Sequence, residues 1–125
     1  MEAEAIIVIL NRCLADWDLV GSEVIEYEIG QMADEERKNA VEHFLACNRT
    51  MVKITENIVK RACIVHEMGI DTFDALHLAS AESVNAIFLT TDDSLIKIIN
   101  RQEDNILIPV HNPVQWLLEE ETNGN

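Results

Sequence analysis

The stretch from Phe73 to Thr91 places the tightest limit on the fold. Phe73 to Ser83 carries apolar residues almost all round at helical spacing, which suits a helix packed on more than one side. Ala86-Ile-Phe-Leu-Thr-Thr91 follows at once and reads as a strand. A buried helix joined tightly to a strand implies a sheet with helices on its faces. The rest of the chain agrees. Asp18-Leu-Val-Gly-Ser22 reads as a short strand ending at a helix N-cap, with a helix running on through Met32. Asp34 caps a third helix whose stripe is Ala40, Val41, Phe44 and Leu45, and Met51 to Ile54 is extended. Thr55 caps a helix carrying Ile58, Ala62, Val65 and Met68, stopped by Gly69. Asp92-Asp93-Ser94 opens a helix with Leu95, Ile96, Ile98 and Ile99, Asn105 to Val110 gives a last strand, and Asn112-Pro113 starts a closing helix. At the other end, Ala3 to Leu14 has helical spacing, although the β-branched run Ile6-Ile7-Val8-Ile9 also suits a buried strand. The expected class is α/β, a parallel sheet flanked by helices, in one domain over residues 1–121 with a polar tail at 122–125.

A hydrophobic share of 48% and a charged share of 26% exclude a disordered chain or a fibre. The longest apolar run, Ile6 to Leu10, is far too short to cross a bilayer, and Glu2 and Glu4 stand where a signal peptide carries positive charge, so no membrane and a cytoplasmic location are expected. Cys13, Cys47 and Cys63 lack the spacing of a disulfide framework or zinc ribbon and read as free, mostly buried thiols; His43 and Cys47, four apart, have no second pair to complete a zinc site. With four glycines and no Gly-x-Ser-x-Gly, P-loop or dinucleotide turn, those chemistries are excluded.

The chain has 23 acidic and 9 basic residues, a net charge of −14, which repels nucleic-acid phosphates unless a divalent cation stands between. Lys53, Lys60, Arg61, Arg37, Lys38 and Arg49 concentrate what positive charge there is, as solvated helix faces or as a phosphate track. Most carboxylates belong at the surface, and three are placed otherwise. Glu28 falls within the stripe of Val24, Ile25, Ile29 and Met32; Asp74 lies in the first turn of the apolar helix, where the dipole favours an anion; Asp92 follows Thr90 and Thr91 at the carboxyl end of the clearest strand. Each also has a plain structural role open to it, as a helix cap or as one half of an ion pair. Three carboxylates at one sheet edge repel unless they share a cation, for which Mg²⁺ or Mn²⁺ is the fitting ion. His77, one turn after Asp74, reads as a packed histidine within reach of that carboxylate.

Ser22-Glu-Val-Ile-Glu-Tyr-Glu28, Gly69-Ile-Asp-Thr-Phe-Asp74-Ala-Leu-His-Leu-Ala-Ser-Ala81, Ile87-Phe-Leu-Thr90-Thr-Asp92 and Asn112-Pro113 come in the order and spacing of a PIN domain, which the chain resembles over nearly its whole length. The resemblance implies a three-layer α/β/α fold and a metal-dependent endoribonuclease, often a VapC-type toxin of a toxin–antitoxin pair. It implies Glu28, Asp74 and Asp92 as catalytic ligands of Mg²⁺ or Mn²⁺, with Thr90, Asp93 and Ser22 in support. It further implies RNA as substrate, a basic antitoxin as partner, and a homodimer. The pattern opens one element late, without the first strand and its aspartate. The expectation is a start upstream by one strand and a turn, roughly 10–20 residues, or a first-strand position filled by Ile6 to Leu10 or by a partner's strand. Lacking that aspartate, the chain is expected to grip metal and cut RNA weakly. The alternative is a non-catalytic module for protein binding or dimerisation. A response-regulator-like domain using Asp92-Asp93 ranks last, for want of a phosphoacceptor and lysine arrangement.

Overall fold

Side chains that close the first turns of helices set the frame of the molecule. The computed structural model describes residues 2–15, 17–46 and 50–123. Ser22 Oγ accepts from the Ile25 N–H at 3.1 Å and starts α2 (Glu23–Gly30). Asp34 Oδ1 accepts from Glu36 and Arg37 ahead of α3 (Glu35–Leu45). Thr55 Oγ1 accepts from Ile58 at 3.2 Å to start α4 (Glu56–Glu67), and Asp92 Oδ1 from Leu95 at 3.1 Å to start α6 (Asp93–Asn100). Asn112 Oδ1 accepts from Val114 at 2.8 Å, with Pro113 opening α7 (Pro113–Asn123). Each such cap satisfies a donor that the helix itself cannot, worth about 1 kcal/mol. Gly69, at φ +96°, turns the chain out of α4 through a conformation that a Cβ would strain. The other helices are α1 (Glu2–Ala15) and α5 (Thr72–Ser83).

Four short strands lie among them. β1 (Val20–Ser22) runs parallel to β2 (Thr50–Val52), and β3 (Phe88–Leu89) runs parallel to β4 (Val110–His111). The fold is three-layer α/β/α, rich in helix. Among the described residues the sheet is two separate parallel ribbons. The core is built from Ile58, Ala62 and Val65 of α4, Ala75, Leu78 and Ala79 of α5, Leu95 and Ile99 of α6, with Ile70, Ile106 and Ile108 from the connections. α4 and α5 pack on each other, and α1 on α7, where the Trp17 and Trp116 rings meet at 4.8 Å and Arg12 lies over Trp17.

Several expectations are corrected. Ile6 to Leu10 is helical, within α1, and does not take a strand position; its β-branched residues are partly solvated, Ile7 at 59%. The strand expected over Asn105 to Val110 shrinks to Val110–His111. Pro109 has no N–H to donate, so the ladder starts after it, while the Pro109 carbonyl still accepts from Phe88. Ile106 and Ile108 are buried and Leu107 exposed, so the segment keeps the alternation of a strand without its ladder. Ala40 and Val41 of α3 are exposed, and the Phe44 and Leu45 side chains lie outside those described. Cys63 is exposed and Cys13 half-buried, against the expectation of mostly buried thiols; Cys47 and Arg49 lie outside the described residues. Helix α7 continues through Asn123, past residue 121.

Candidate active site

The carboxyl ends of β1 and β3 each deliver a carboxylate through the helix that follows. From β1 the chain enters α2 at Ser22, 4% exposed, and reaches Glu28 in the last turn. From β3 it passes Thr90, whose Oγ1 accepts from the Asp92 N–H at 3.1 Å, and enters α6 at Asp92. Asp74 stands in the first turn of α5, against which both α2 and β1 pack.

Glu28 does not lie in the apolar face that the helical spacing assigns to it. Val24 and Ile29 are buried, whereas Glu28 is about half exposed and leans over to α5, its Oε1 3.1 Å from His77 Nε2. An ionised carboxylate only accepts, so His77 donates there through Nε2. His77 therefore bonds to Glu28 rather than to Asp74, the partner one turn away on its own helix. Asp92 keeps one oxygen on its helix cap and has the other to spare. Asp93, first residue of α6, is exposed beside it.

Asp74 is the electrostatic centre. Partial burial pushes its carboxyl above the ordinary aspartate range, the negative charge of Asp71 adds to this, His77 opposes it, and Asp92 and Glu28 push it up further. Two of the sequence-predicted carboxylates, Asp92 and Glu28, thus act on the third, Asp74. Asp71 is a fourth, missed from the sequence. It precedes α5 but makes no side-chain cap, and the signal for it was its place three residues before Asp74, on the same side of a helix start. Beside these groups, Tyr27 and Phe73, the sequence neighbours of Glu28 and Asp74, stack at 5.9 Å with planes 10° apart.

Among the described residues, no group of three His, Cys, Asp or Glu side chains is close enough to hold a metal ion. The donors themselves are hard carboxylate oxygens that repel one another and raise Asp74, the donor chemistry that suits Mg²⁺ or Mn²⁺. They fit such an ion in kind while standing further apart than ligands do.

A family model described as PIN domain matches residues 3–101. The chain belongs to the PIN domain family. PIN domains have a nuclease-like fold, typically that of a ribonuclease, and generally depend on divalent metal ions. No curated protein and no solved structure matches the chain significantly. Among the described residues of this PIN domain, no helix is long and apolar enough to cross a membrane. The basic cluster is in part structural, since Arg61 is held in an ion pair with Glu82 rather than lying on a solvated face.

Proposed function

We propose that the protein is a Mg²⁺- or Mn²⁺-dependent endoribonuclease acting in the cytoplasm, in which Glu28, Asp74 and Asp92 hold the metal. The observation that carries this reading is the gathering of Asp71, Glu28 and Asp92 around the part-buried Asp74, whose carboxyl is pushed up by burial and by their charges against the opposing pull of His77: carboxylates gathered in this way gain from a shared cation. A bound ion would polarise the phosphodiester and ease ionisation of the attacking water. The protein's own groups supply position. His77 fixes the Glu28 carboxylate from one side, and Thr90 Oγ1 fixes the turn that presents Asp92. Ser22 anchors the start of α2, and so the helix that carries Glu28. Asp93 and Asp71 add charge at the rim, drawing cations and repelling bare RNA.

The toxin of a toxin–antitoxin pair is the finer reading, a homodimer held in check by a basic antitoxin. The net charge of −14 suits such a partner, and an arginine among the carboxylates would displace the metal. The second reading, a non-catalytic protein-binding module, draws on the distance between the carboxylates, which form no ready metal site among the described residues.

Purified protein with Mn²⁺ and end-labelled RNA separates the two. Cleavage that Asp74→Asn lowers at least about 100-fold supports the enzyme, since even supporting residues of metal sites cost 10–100-fold when removed. Cleavage absent from this chain and from one extended upstream favours the binding module, and cleavage equal in wild type and variant removes Asp74 from the reaction.

A further inference from the structure

Aromatic side chains are few in this chain, two tryptophans, one tyrosine and three phenylalanines, and most of those described are turned inward. Trp17 and Trp116 meet at the seam of α1 and α7, and Phe88 packs against the core. Tyr27 and Phe73 are the exceptions among the described residues, at 57% and 40% exposed. They come from different helices and still lie nearly parallel, in the offset arrangement that aromatic rings prefer. Docking of the two helices has its own buried residues, Val24 and Ile29 on α2 and Ala75 and Leu78 on α5. A ring pair needed only to pin α2 on α5 would be covered, as those residues are.

The position of the pair is as informative as its exposure. Tyr27 directly precedes Glu28, and Phe73 directly precedes Asp74, so the Cα of each aromatic residue is about 3.8 Å from that of a candidate metal ligand. Around the rings the surface is polar: Glu26, Glu28, Asp71 and Thr72 are all exposed. An aromatic side chain offers at most about 250 Å². Two that are each about half covered fall far short of the roughly 800 Å² that one side of a stable protein interface needs. The patch has the size of a planar ring system rather than of a protein partner. Charge points the same way. With a net −14 and carboxylates on every side, RNA has no cationic side chains here to hold its phosphates, so a contact that needs no charge is the one available. Every nucleobase carries a face that stacks.

We propose that Tyr27 and Phe73 form a stacking platform for one unpaired base of the RNA, which sets the adjoining phosphodiester against the carboxylates. The inference rests on the ribonuclease reading and adds to it the part of the substrate that the carboxylates do not touch. Since the two rings are close to parallel, the base continues an existing stack and the protein has little to reorder. Stacking accepts any of the four bases, so the pair selects for an unpaired base rather than for its identity. Tyr27 and Phe73 are positioning residues, and they touch no reacting atom.

The test uses the purified full chain with Mn²⁺ and a single-stranded RNA carrying 2-aminopurine, a fluorescent base quenched when it stacks, at each position in turn. Quenching reads the base contact, and gels of the same RNA read cleavage. The expected result is quenching confined to one or two positions beside the cut bond. Tyr27→Leu and Phe73→Leu should each raise Kd and KM about tenfold, with kcat nearly unchanged. Tyr27→Trp, which keeps a ring, should retain both the affinity and the quenching. Should one leucine variant fail to fold, the other, Tyr27→Trp and the quenching pattern on the wild-type chain still decide. Cleavage without localised quenching, or leucine variants with the wild-type Kd, overturns the platform and leaves the nuclease standing. Quenching that the leucine variants remove, with no cleavage by this chain or by one extended upstream, supports the platform and sinks the nuclease. A dimer in sedimentation that Tyr27→Leu dissociates assigns the rings to a protein interface and overturns the proposal.

Discussion

An aspartate in the first turn of a helix ordinarily gains from the helix dipole and becomes a stronger acid. Asp74 goes the other way, because loss of water and the neighbouring charge of Asp71 outweigh the dipole and the opposing pull of His77. The consequence for stability follows from linkage. Folded Asp74 holds its proton more readily than unfolded Asp74, so its contribution to stability is fully present in acid and is lost as pH rises from the ordinary aspartate range through the raised value. At neutral pH the ionised side chain works against folding. Asp74→Asn removes that charge and keeps the shape, so without metal the variant should melt at a higher temperature than wild type at pH 7. The gap should close in acid, where both side chains are neutral. Added Mn²⁺ should narrow the pH 7 gap by stabilising the wild type alone. Thermal melts across pH with and without Mn²⁺ check this, and a variant less stable at pH 7 would show that Asp74 is held by favourable contacts instead.

At the scale of elements, the helices were legible because their starts are written in single side chains. Ser22, Asp34, Thr55, Asp92 and Asn112 all cap as their positions in the sequence indicate, and Gly69 ends α4 with the positive φ its type allows. The strands were less legible. Ladder formation depends on which neighbour is present: Pro109 marks a strand end in the sequence itself, but the two-ribbon division among the described residues does not follow from local pattern. The candidate site was half legible for the same reason: Asp74 and Asp92 sit at element starts, which a sequence marks, whereas the bond between Glu28 and His77 joins residues 49 apart on different helices. Arg61 is a clearer instance of long-range structure hidden in a charge. Its Nε and Nη2 clasp Glu82, at 2.7 and 3.1 Å, and Nη2 also reaches the Asn105 carbonyl, while Glu82 accepts from the Leu107 N–H at 2.9 Å. The group ties α4 and α5 to the segment that feeds β4. The Glu82 side chain is only 4% exposed, so Arg61→Met leaves a nearly buried carboxylate without its counter-charge. Loss of one partner from such a pair costs about 3 kcal/mol. Urea unfolding should show that loss at neutral pH, and Arg61→Met combined with Glu82→Gln should recover part of it. A single variant within 0.5 kcal/mol of wild type, roughly the scatter of ordinary surface changes, would mean that the pair is solvated and contributes little.

For the whole molecule, the dominant quantity is a charge of −14 on a chain of 14.1 kDa. Lys60 pairs with Glu56, an exposed pair one helical turn apart, and Arg61 with Glu82, but with 23 acidic residues against 9 basic ones most carboxylates have no cationic side chain to pair with. Self-repulsion on this scale opposes the compact state and is screened as salt shortens the Debye length from about 30 Å at 0.01 M to about 10 Å at 0.1 M. The division of the sheet aggravates it, since among the described residues no ladder joins the two ribbons. Raising NaCl from roughly 10 mM to 300 mM should therefore raise the melting temperature. For a domain of this size each kcal/mol recovered is worth about 3–6 °C, so a shift of several degrees is expected. The same screening acts on RNA in the opposite sense from that of a basic binder: without divalent cations, association should fail to fall as salt rises, where phosphate-contacting proteins lose affinity steeply. A melting temperature that falls with NaCl would show instead that attractive ion pairs dominate the surface, and RNA affinity that falls steeply with salt would place a basic track, rather than a cation-loaded carboxylate rim, at the point of contact.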